Sequence, residues 1–238
     1  MGRKLVLAVV VIVLAILGVM AVMRFKRPSP GEPGRPGEAG DLVLLPEPHV
    51  MGKISLEEAL SARRSIRDYA DDPLSLAELA QLLWAAQGIT DPRGYRTAPS
   101  AGATYPLELY VVVGRVEGLA AGIYHYLPDG HALARVASGD RRAALAGVAL
   151  GQSWIEEAPV DLVLAAVYER TMQRYGARGR QYVHMEAGHA AQNVYLQAVT
   201  LNLGTVVVGA FHDEGVRDVL GLPKEQQPLY IMPVGHLP

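Results

Sequence analysis

The chain has 238 residues, with 22 lysines and arginines against 24 aspartates and glutamates, and it has no cysteine. Binding to nucleic-acid phosphates needs a basic surface, so this nearly neutral chain is not expected to bind nucleic acid. Without cysteine, the chain forms no disulfide, no cysteine-ligated iron–sulfur cluster and no thiol nucleophile. The length leaves room for one domain of ordinary size after the N-terminal segments.

Residues 1–27 are predicted to form a membrane anchor. Leu5 to Met23 is an apolar run without charge, and at ~1.5 Å per residue it reaches roughly the thickness of the hydrocarbon core of a bilayer. A cleaved signal peptide is the alternative, but it would have a shorter apolar region and a cleavage site flanked by small residues. We therefore expect a single-pass membrane protein. Basic residues flank the run on both sides, which leaves its orientation open.

Residues 28–50 are predicted to be a linker, and residues 51–238 to be the folded domain. Pro28 to Gly40 reads PSPGEPGRPGEAG. A segment so rich in proline and glycine cannot build a core, and it is typical of an extended spacer.

Two capping boxes predict the starts of the first two helices of the domain. The first begins at Ser55, and its helix is expected to run into Arg63–Arg67. The second begins at Ser75, and Gly88 is expected to end its helix.

Further along the chain, hydrophobic patterning predicts a mixture of strands and helices. The predicted strands are Leu107–Val113, a hairpin around Pro128–Gly130, Val160–Tyr168, Thr205–Ala210 and Leu229–Val234. The predicted helices are Asp140–Gly151, Tyr182–Leu203 and Val216–Leu220. Such a mixture favours an α+β or α/β sandwich in which helices pack on a sheet.

Several common catalytic motifs are missing from the sequence. No G-x-G-x-x-G follows a strand, and there is no P-loop and no G-x-S-x-G. His184 and His189 are five residues apart rather than the four that place two metal ligands on one helix face. No metal site is therefore predicted.

Three segments carry residues that suit ligand binding. Arg63, Ser65 and Arg67 form either a solvated basic face or a site for a phosphate, to which arginine offers forked donors. The run from Pro99 to Pro106 is either an ordinary loop or a place where small residues let the backbone approach a flat ligand. In the long helix, His189 and Gln192 interrupt a predicted buried stripe, so they need internal partners, a cofactor or a dimer interface.

Seven segments of this domain occur in a characteristic order and spacing: RRSIRDY, LLWAAQGIT, PSAGATYPLELYVV, GIYHY, EAGHAAQN, VVVGAF and PLYIMPVG. Together they resemble the nitroreductase-like FMN flavoproteins. The resemblance covers roughly Ser55 to Pro238, and it is greatest to the SagB-type relatives, which resemble thiazole/oxazole-forming dehydrogenases.

The resemblance implies an α+β homodimer with a central, mostly antiparallel sheet flanked by helices, and FMN at the dimer interface. Arg63, Ser65 and Arg67 would hold the flavin phosphate and ribityl chain. Pro99, Ser100 and Gly102 would contact the flavin from the other subunit. The backbone of Gly209 and Ala210 would approach N5, and no catalytic side chain is required.

The function that the resemblance implies is transfer of electrons from NAD(P)H through FMN to a flat acceptor such as a nitroaromatic or a quinone. One alternative is the SagB-type dehydrogenation of an azoline in a modified peptide, and another is a flavin-binding membrane module without turnover. Azoline-oxidising relatives are expected to use a Lys-Tyr pair before the long helix, where this chain has Arg174 and Tyr175. Since arginine does not give up its proton, this departure favours general reduction.

Overall fold

The computed structural model describes residues 42–238, which are built around one seven-stranded sheet. The strands are β1 (Leu42–Leu44), β2 (Leu107–Val113), β3 (Gly122–Leu127), β4 (Ala132–Ser138), β5 (Val160–Val167), β6 (Leu203–Thr205) and β7 (Gln226–His236). They lie in the order β1-β4-β3-β2-β5-β7-β6, and every neighbouring pair is antiparallel. The predicted α+β class with an antiparallel sheet is confirmed.

Seven α-helices flank the sheet in the described part of the chain. They are α1 (Leu56–Ala62), α2 (Leu76–Gln87), α3 (Arg142–Val148), α4 (Ser153–Glu157), α5 (Tyr168–Tyr175), α6 (Gly179–Thr200) and α7 (Asp213–Leu220). Both predicted capping boxes are present at Ser55 and Ser75. The first helix ends earlier than predicted, because Arg63 caps it with an extended backbone.

Side chains along the central strands point alternately into two hydrophobic cores, one on each face of the sheet. On β2, Leu109 and Val111 face the core that α2 and α6 cover, whereas Tyr110 and Val112 face the core covered by α3, α4 and α7. This is the period of two that a strand buried on both faces imposes. The sheet therefore carries a separate helical layer on each side.

Helix α6 lies on the sheet through a face of small residues. Its buried positions include Val183, Ala187, Ala190, Val194 and Ala198. The stripe predicted to be buried, which contains His189 and Gln192, is turned away from this core. Met185, on the same stripe, is 52% exposed. The prediction of the buried face was wrong because apolar spacing alone did not separate the two neighbouring stripes of this helix.

The predicted strand Thr205–Ala210 was also wrong in its extent. Strand β6 ends at Thr205, and beyond it only Val208 forms an isolated bridge, with Ile231. Between them, the backbone N–H of Val207 donates to the hydroxyl of Tyr195 at 2.9 Å. The Tyr195 hydroxyl, rather than a neighbouring strand, therefore accepts this N–H, and the chain leaves the sheet after Thr205.

The expected membrane location is corrected by the helices of the structure. Within residues 42–238, no helix is long and apolar enough to cross a membrane. The longest, α6, has 22 residues but includes Arg180, Glu186 and His184, and charged residues oppose insertion of a span. The predicted anchor, Leu5–Met23, lies outside the described residues, and membrane attachment is withdrawn as a prediction.

Part of the predicted linker belongs to the sheet. Strand β1 pairs with β4, and the N–H of Leu45 donates to the carbonyl oxygen of His131 at 3.0 Å. His49 exchanges two hydrogen bonds with the Gln81 side chain, at 2.8 and 3.0 Å. We propose that the folded domain includes the residues from Leu42 onward, ahead of the predicted boundary at Met51.

Replacing Leu45 by alanine tests this boundary. Leu45 is 8% exposed and packs in the core beneath α2, whereas Leu44 is 71% exposed. We expect Leu45→Ala to lower the free energy of unfolding by about 2–3 kcal/mol, and Leu44→Ala by less than about 0.5 kcal/mol. Urea denaturation of the two variants measures the difference, and equal stabilities would return residues 42–50 to the linker.

Candidate functional site

The segment after α1 presents its polar residues by strand-like alternation. Arg63 has an extended backbone, and the N–H of Ile66 donates to the carbonyl oxygen of Thr205 at 2.9 Å. Ile66 packs so tightly on Gly204 that a Cβ there would lie 2.6 Å from the Ile66 Cγ2 atom. With Ile66 turned inward, Ser65 and Arg67 on either side of it are exposed.

Tyr195 of α6 connects this segment with the chain beyond β6. Its hydroxyl lies 3.1 Å from the hydroxyl oxygen of Ser65 and accepts the N–H of Val207 at 2.9 Å. The guanidinium of Arg63 lies 5.1 Å from the centre of the Tyr195 ring. One side chain thus positions two predicted phosphate residues and the segment after β6 that leads to Gly209.

The three arginines of the segment have different surroundings. Arg67 lies over the Trp154 ring at 5.5 Å, and within residues 42–238 neither Arg63 nor Arg67 forms an ion pair. Arg64 instead donates to the carbonyl oxygens of Ser61 and Arg63, at 2.9 and 2.7 Å. The described structure therefore leaves the charges of Arg63 and Arg67 without a counter-ion, while Arg64 caps the end of α1.

Gly209 and Ala210 expose their backbone beside the sheet. Within the described chain, neither amide N–H has a hydrogen-bond acceptor. A Cβ on Gly209 would meet nothing nearer than Tyr230, at 3.9 Å. The side-chain amide of Gln152 donates to the carbonyl oxygen of Ala210 at 2.8 Å. These contacts fix the peptide and leave its amides able to donate to a ligand.

The loop that contains Pro99, Ser100 and Gly102 is held by α5. Gly102 has a φ of +63°, and Arg174 donates to its carbonyl oxygen at 3.1 Å. A Cβ on Gly102 would lie 2.7 Å from the Tyr175 hydroxyl, so glycine is required for this close approach. The Arg174–Tyr175 pair thus lies against the loop.

The predicted site residues form two groups. Arg63, Ser65, Gly209 and Ala210 are joined through Tyr195 and the segment around Val207, with Arg67 beside α4. Pro99, Ser100 and Gly102 form the second group, against α5 and α6. Among residues 42–238, no hydrogen bond, ion pair or ring contact joins the two groups.

Sequence reasoning missed four side chains that organise these groups. Tyr195, Trp154 and Gln152 hold the first group, and the buried Glu186 lies next to Ser100 in the second. Glu186 lies within the predicted long helix, but its position beside Ser100 depends on the tertiary fold. Within the described part of the chain, no cluster of three histidine, aspartate or glutamate side chains is arranged to hold a metal.

The sequence profile described as the Nitroreductase family matches residues 60–236. A nitroreductase-family protein of Methanocaldococcus jannaschii is 50% identical over 196 residues, covering 82% of this chain and 98% of that protein. The crystal structure of a nitroreductase-family protein from Ralstonia eutropha superposes with a TM-score of 0.74 at 30% identity, covering 87% of this chain and 96% of that one. The chain belongs to the nitroreductase family.

A more distant relative is the microcin B17-processing protein McbC of Escherichia coli. It is 31% identical over 155 residues, which are 63% of this chain and 57% of McbC. The similarity to SagB-type processing proteins inferred from the sequence motifs is therefore confirmed.

Replacing Tyr195 by phenylalanine tests the connection within the first group. The change removes the acceptor of the Val207 N–H and the partner of the Ser65 hydroxyl, and we expect it to cost about 1–2 kcal/mol of stability. Tyr182→Phe is a matched control, because within residues 42–238 the Tyr182 hydroxyl has no hydrogen-bond partner, and the change keeps the ring that contacts Tyr175 and Arg178. Chemical denaturation and the amide exchange rate of Val207 report the effect. Unchanged exchange at Val207 would mean that Tyr195 does not hold the segment after β6.

Proposed function

We propose that this chain binds FMN and is an oxidoreductase that passes electrons from NAD(P)H to a small flat acceptor, such as a nitroaromatic or a quinone. The observation that carries this proposal is the first group of site residues. In the described structure, Arg63 and Arg67 have no counter-ions, and the backbone amides of Gly209 and Ala210 have no acceptors. Tyr195 connects these two parts of the group. FMN has an anionic phosphate at one end and a polar ring system at the other.

The cationic end suits a phosphate. Arg63 and Arg67 would supply charge-assisted donors, and the exposed hydroxyl of Ser65 lies between them in the chain. Both guanidinium groups now lie over aromatic rings. A cation–π contact at an exposed site is worth only about 0.5–1 kcal/mol, so a phosphate would compete with it successfully.

The amide end suits the flavin ring. The N–H groups of Gly209 and Ala210 would donate to ring heteroatoms, and the bond from Gln152 keeps this peptide oriented. FMN, when bound, supplies the hydride-transfer chemistry, and the protein supplies binding, orientation and hydrogen bonds. No nucleophilic side chain is needed at this end.

We also propose that the working form is a homodimer. The described chain leaves large apolar side chains exposed on α1 and α6, among them Leu60 at 51% and Met185 at 52%, and such surfaces are typical of interaction sites. Among residues 42–238, no hydrogen bond, ion pair or ring contact links the loop of Pro99, Ser100 and Gly102 to the first group. A second copy is the source from which this loop would reach the flavin.

Anaerobic stopped-flow mixing with NADH or NADPH tests the proposed reaction. We expect the purified protein to be yellow, to lose its flavin absorbance on mixing, and to regain it when a quinone is added. Because the nicotinamide and the acceptor would occupy the same place on the ring, steady-state kinetics should be ping-pong. Flavin that stays oxidised with both nicotinamides would contradict the proposed electron donor.

Single alanine substitutions test the phosphate end. Removing Arg63 or Arg67 deletes a charge-assisted hydrogen bond worth ~1.5–3 kcal/mol, which should weaken FMN binding by roughly 10- to 100-fold. Arg64→Ala is the matched control, because that side chain bonds to the end of α1. Flavin titrations of apo-protein measure these affinities.

Riboflavin separates loss of the phosphate contact from misfolding. It has no phosphate, so it should bind to wild type and to Arg63→Ala with similar affinity. If all three arginine variants bind FMN as tightly as wild type, the segment is a solvated basic surface and the assignment is wrong.

A second candidate function is dehydrogenation of an azoline in a modified peptide. It is favoured by the similarity to McbC and by the position of Arg174 and Tyr175 against the Gly102 loop. Arg174 cannot act as the base, so this reaction would need another proton acceptor. Flavin that is reduced by an azoline-containing peptide, but by neither nicotinamide, would favour this candidate over the first.

A further inference from the structure

A basic surface surrounds the turn between α5 and α6. Residues 168–185 contain four arginines and one glutamate, although acidic residues slightly outnumber basic ones in the whole chain. Among residues 42–238, Arg170 pairs with the carboxylate of Glu108. The other three arginines are exposed and form no ion pair there: Arg174, Arg178 and Arg180. Positive charge is therefore concentrated at this turn without carboxylates to balance it.

Two of these arginines lie on a pair of tyrosine rings. Tyr175 and Tyr182 meet edge to face, with ring centres 5.1 Å apart and planes at 87°. The guanidinium of Arg174 lies 5.6 Å from the centre of the Tyr175 ring, and that of Arg178 lies 5.7 Å from the centre of the Tyr182 ring. We call Tyr175 and Tyr182 the tyrosine pair. Its two rings support both cations side by side without neutralising them.

The positive end of a long helix lies at the same place. Helix α6 has 22 residues and begins at Gly179, directly after Arg178. No side chain caps its N-terminus, and its first turn contains no acidic residue. The N-terminus of a helix carries a partial positive charge that favours a bound anion. This end of α6 therefore adds to the charge of the two arginines.

The tyrosine pair adjoins the loop of Pro99, Ser100 and Gly102. Arg174 donates from Nη1 to the Gly102 carbonyl oxygen at 3.1 Å, which uses one of the five N–H donors of a guanidinium. The Tyr175 hydroxyl would lie 2.7 Å from a Cβ on Gly102. In the proposed dimer this loop reaches the flavin of the partner, so the tyrosine pair would lie at the rim of that flavin site.

We propose that Arg174 and Arg178 bind the 2′-phosphate of NADPH, and that NADPH is therefore preferred over NADH as electron donor. The identity of the ligand rests on the proposed function. A phosphate monoester carries a charge of about −1.5 to −2 near neutral pH, which two guanidinium groups without counter-ions match. NADH has a hydroxyl group in place of this phosphate and would leave both cations unpaired.

The third exposed arginine lies outside the tyrosine pair. Arg180 is two positions before Tyr182, which is about 200° round the helix. Its guanidinium lies over a different ring, that of Tyr168, at 4.8 Å. The basic residues thus face in two directions and do not form one flat surface for an acidic protein. Arg174 and Arg178 form the part that suits one compact anion.

The first test measures binding of adenosine 2′,5′-bisphosphate to the full-length protein by isothermal titration calorimetry. This probe carries the 2′-phosphate but no nicotinamide, so its binding does not depend on flavin reduction. It should bind roughly 10- to 100-fold more tightly than adenosine 5′-monophosphate, and Arg178→Ala should remove this difference. Arg178→Lys keeps the charge but loses the forked donors, so it should give an intermediate loss. Arg178 is chosen because Arg174 also holds the Gly102 loop.

Two matched controls separate this site from general basicity. Arg180→Ala removes the same charge from the same helical turn, and we expect it to weaken binding of the bisphosphate by less than about 3-fold. Arg93 also lies over a tyrosine ring, that of Tyr95 at 4.6 Å, but it pairs with Asp91 at 2.8 Å. Arg93→Ala should leave the affinity unchanged. Equal losses in Arg178→Ala and Arg180→Ala would mean that the surface attracts anions without a defined site.

The second test measures reduction of the flavin by each nicotinamide in anaerobic stopped-flow experiments. In wild type, the Kd for NADPH should be roughly 10- to 100-fold lower than the Kd for NADH. Arg178→Ala should abolish this preference by weakening NADPH alone. The limiting rate of flavin reduction should stay within about 2-fold of wild type, because the 2′-phosphate lies far from the reacting ring.

The outcomes distinguish this proposal from the proposed function. If the bisphosphate binds through Arg178 but neither nicotinamide reduces the flavin, the proposed function fails and the phosphate site stands. If both nicotinamides reduce the flavin with equal Kd in wild type, the proposed function stands and the phosphate site is refuted. Bisphosphate binding that is no tighter than that of the monophosphate would also refute it.

Discussion

The close packing of α6 on the sheet is the constraint on which the candidate site depends. Ala187, Ala190 and Ala198 face the sheet, and their small side chains allow the helix backbone to approach it. Tyr195 and Glu186 project from other sides of this helix. They are nine positions apart, which at 3.6 residues per turn points them in roughly opposite directions. One helix therefore positions both groups of site residues, and it explains why they are separate within one chain.

The electrostatic arrangement of the first group is unusual for a surface without a ligand. Exposed arginines commonly pair with nearby carboxylates, yet within the described residues the guanidinium groups of Arg63 and Arg67 lie over aromatic rings and form no ion pair. Such contacts keep the guanidinium groups in position, and they are weak enough for an anionic ligand to replace them. Tyr195 and Trp154 thus keep the cations positioned without neutralising them. A phosphate would find a site whose charge is already organised.

The second group is distinguished by a strained backbone. Its loop contains Ala103 and Tyr105 with positive φ, beside Gly102, and such backbone strain persists only where the surroundings hold it. Helix α5 provides that support through Arg174 and Thr171. In relatives that oxidise azolines, a lysine is expected at the place of Arg174, and here that side chain binds the loop. The departure from the related motif therefore has a structural role in this chain.

The sequence by itself determined the class of fold and most of its elements. Capping boxes at Ser55 and Ser75, and the apolar runs of β2, β5 and β7, are local signals that need no tertiary information. The motif resemblance led to the family. Each of these properties depends on residues that are close together in the chain.

Only the tertiary structure decided which residues meet. Tyr195 and Val207 are separated by 12 positions, and Ser65 and Tyr195 by 130, and no pattern in the sequence relates partners so far apart. The edge strand β1 was read as linker because three residues carry too little periodicity, and its place depends on pairing with β4. The burial of Glu186 depends on the packing of α6 beside the Ser100 loop. The local sequence determines which helix or strand each segment can form. Packing between segments that are far apart in the chain determines which residues meet, and hence the properties of the site.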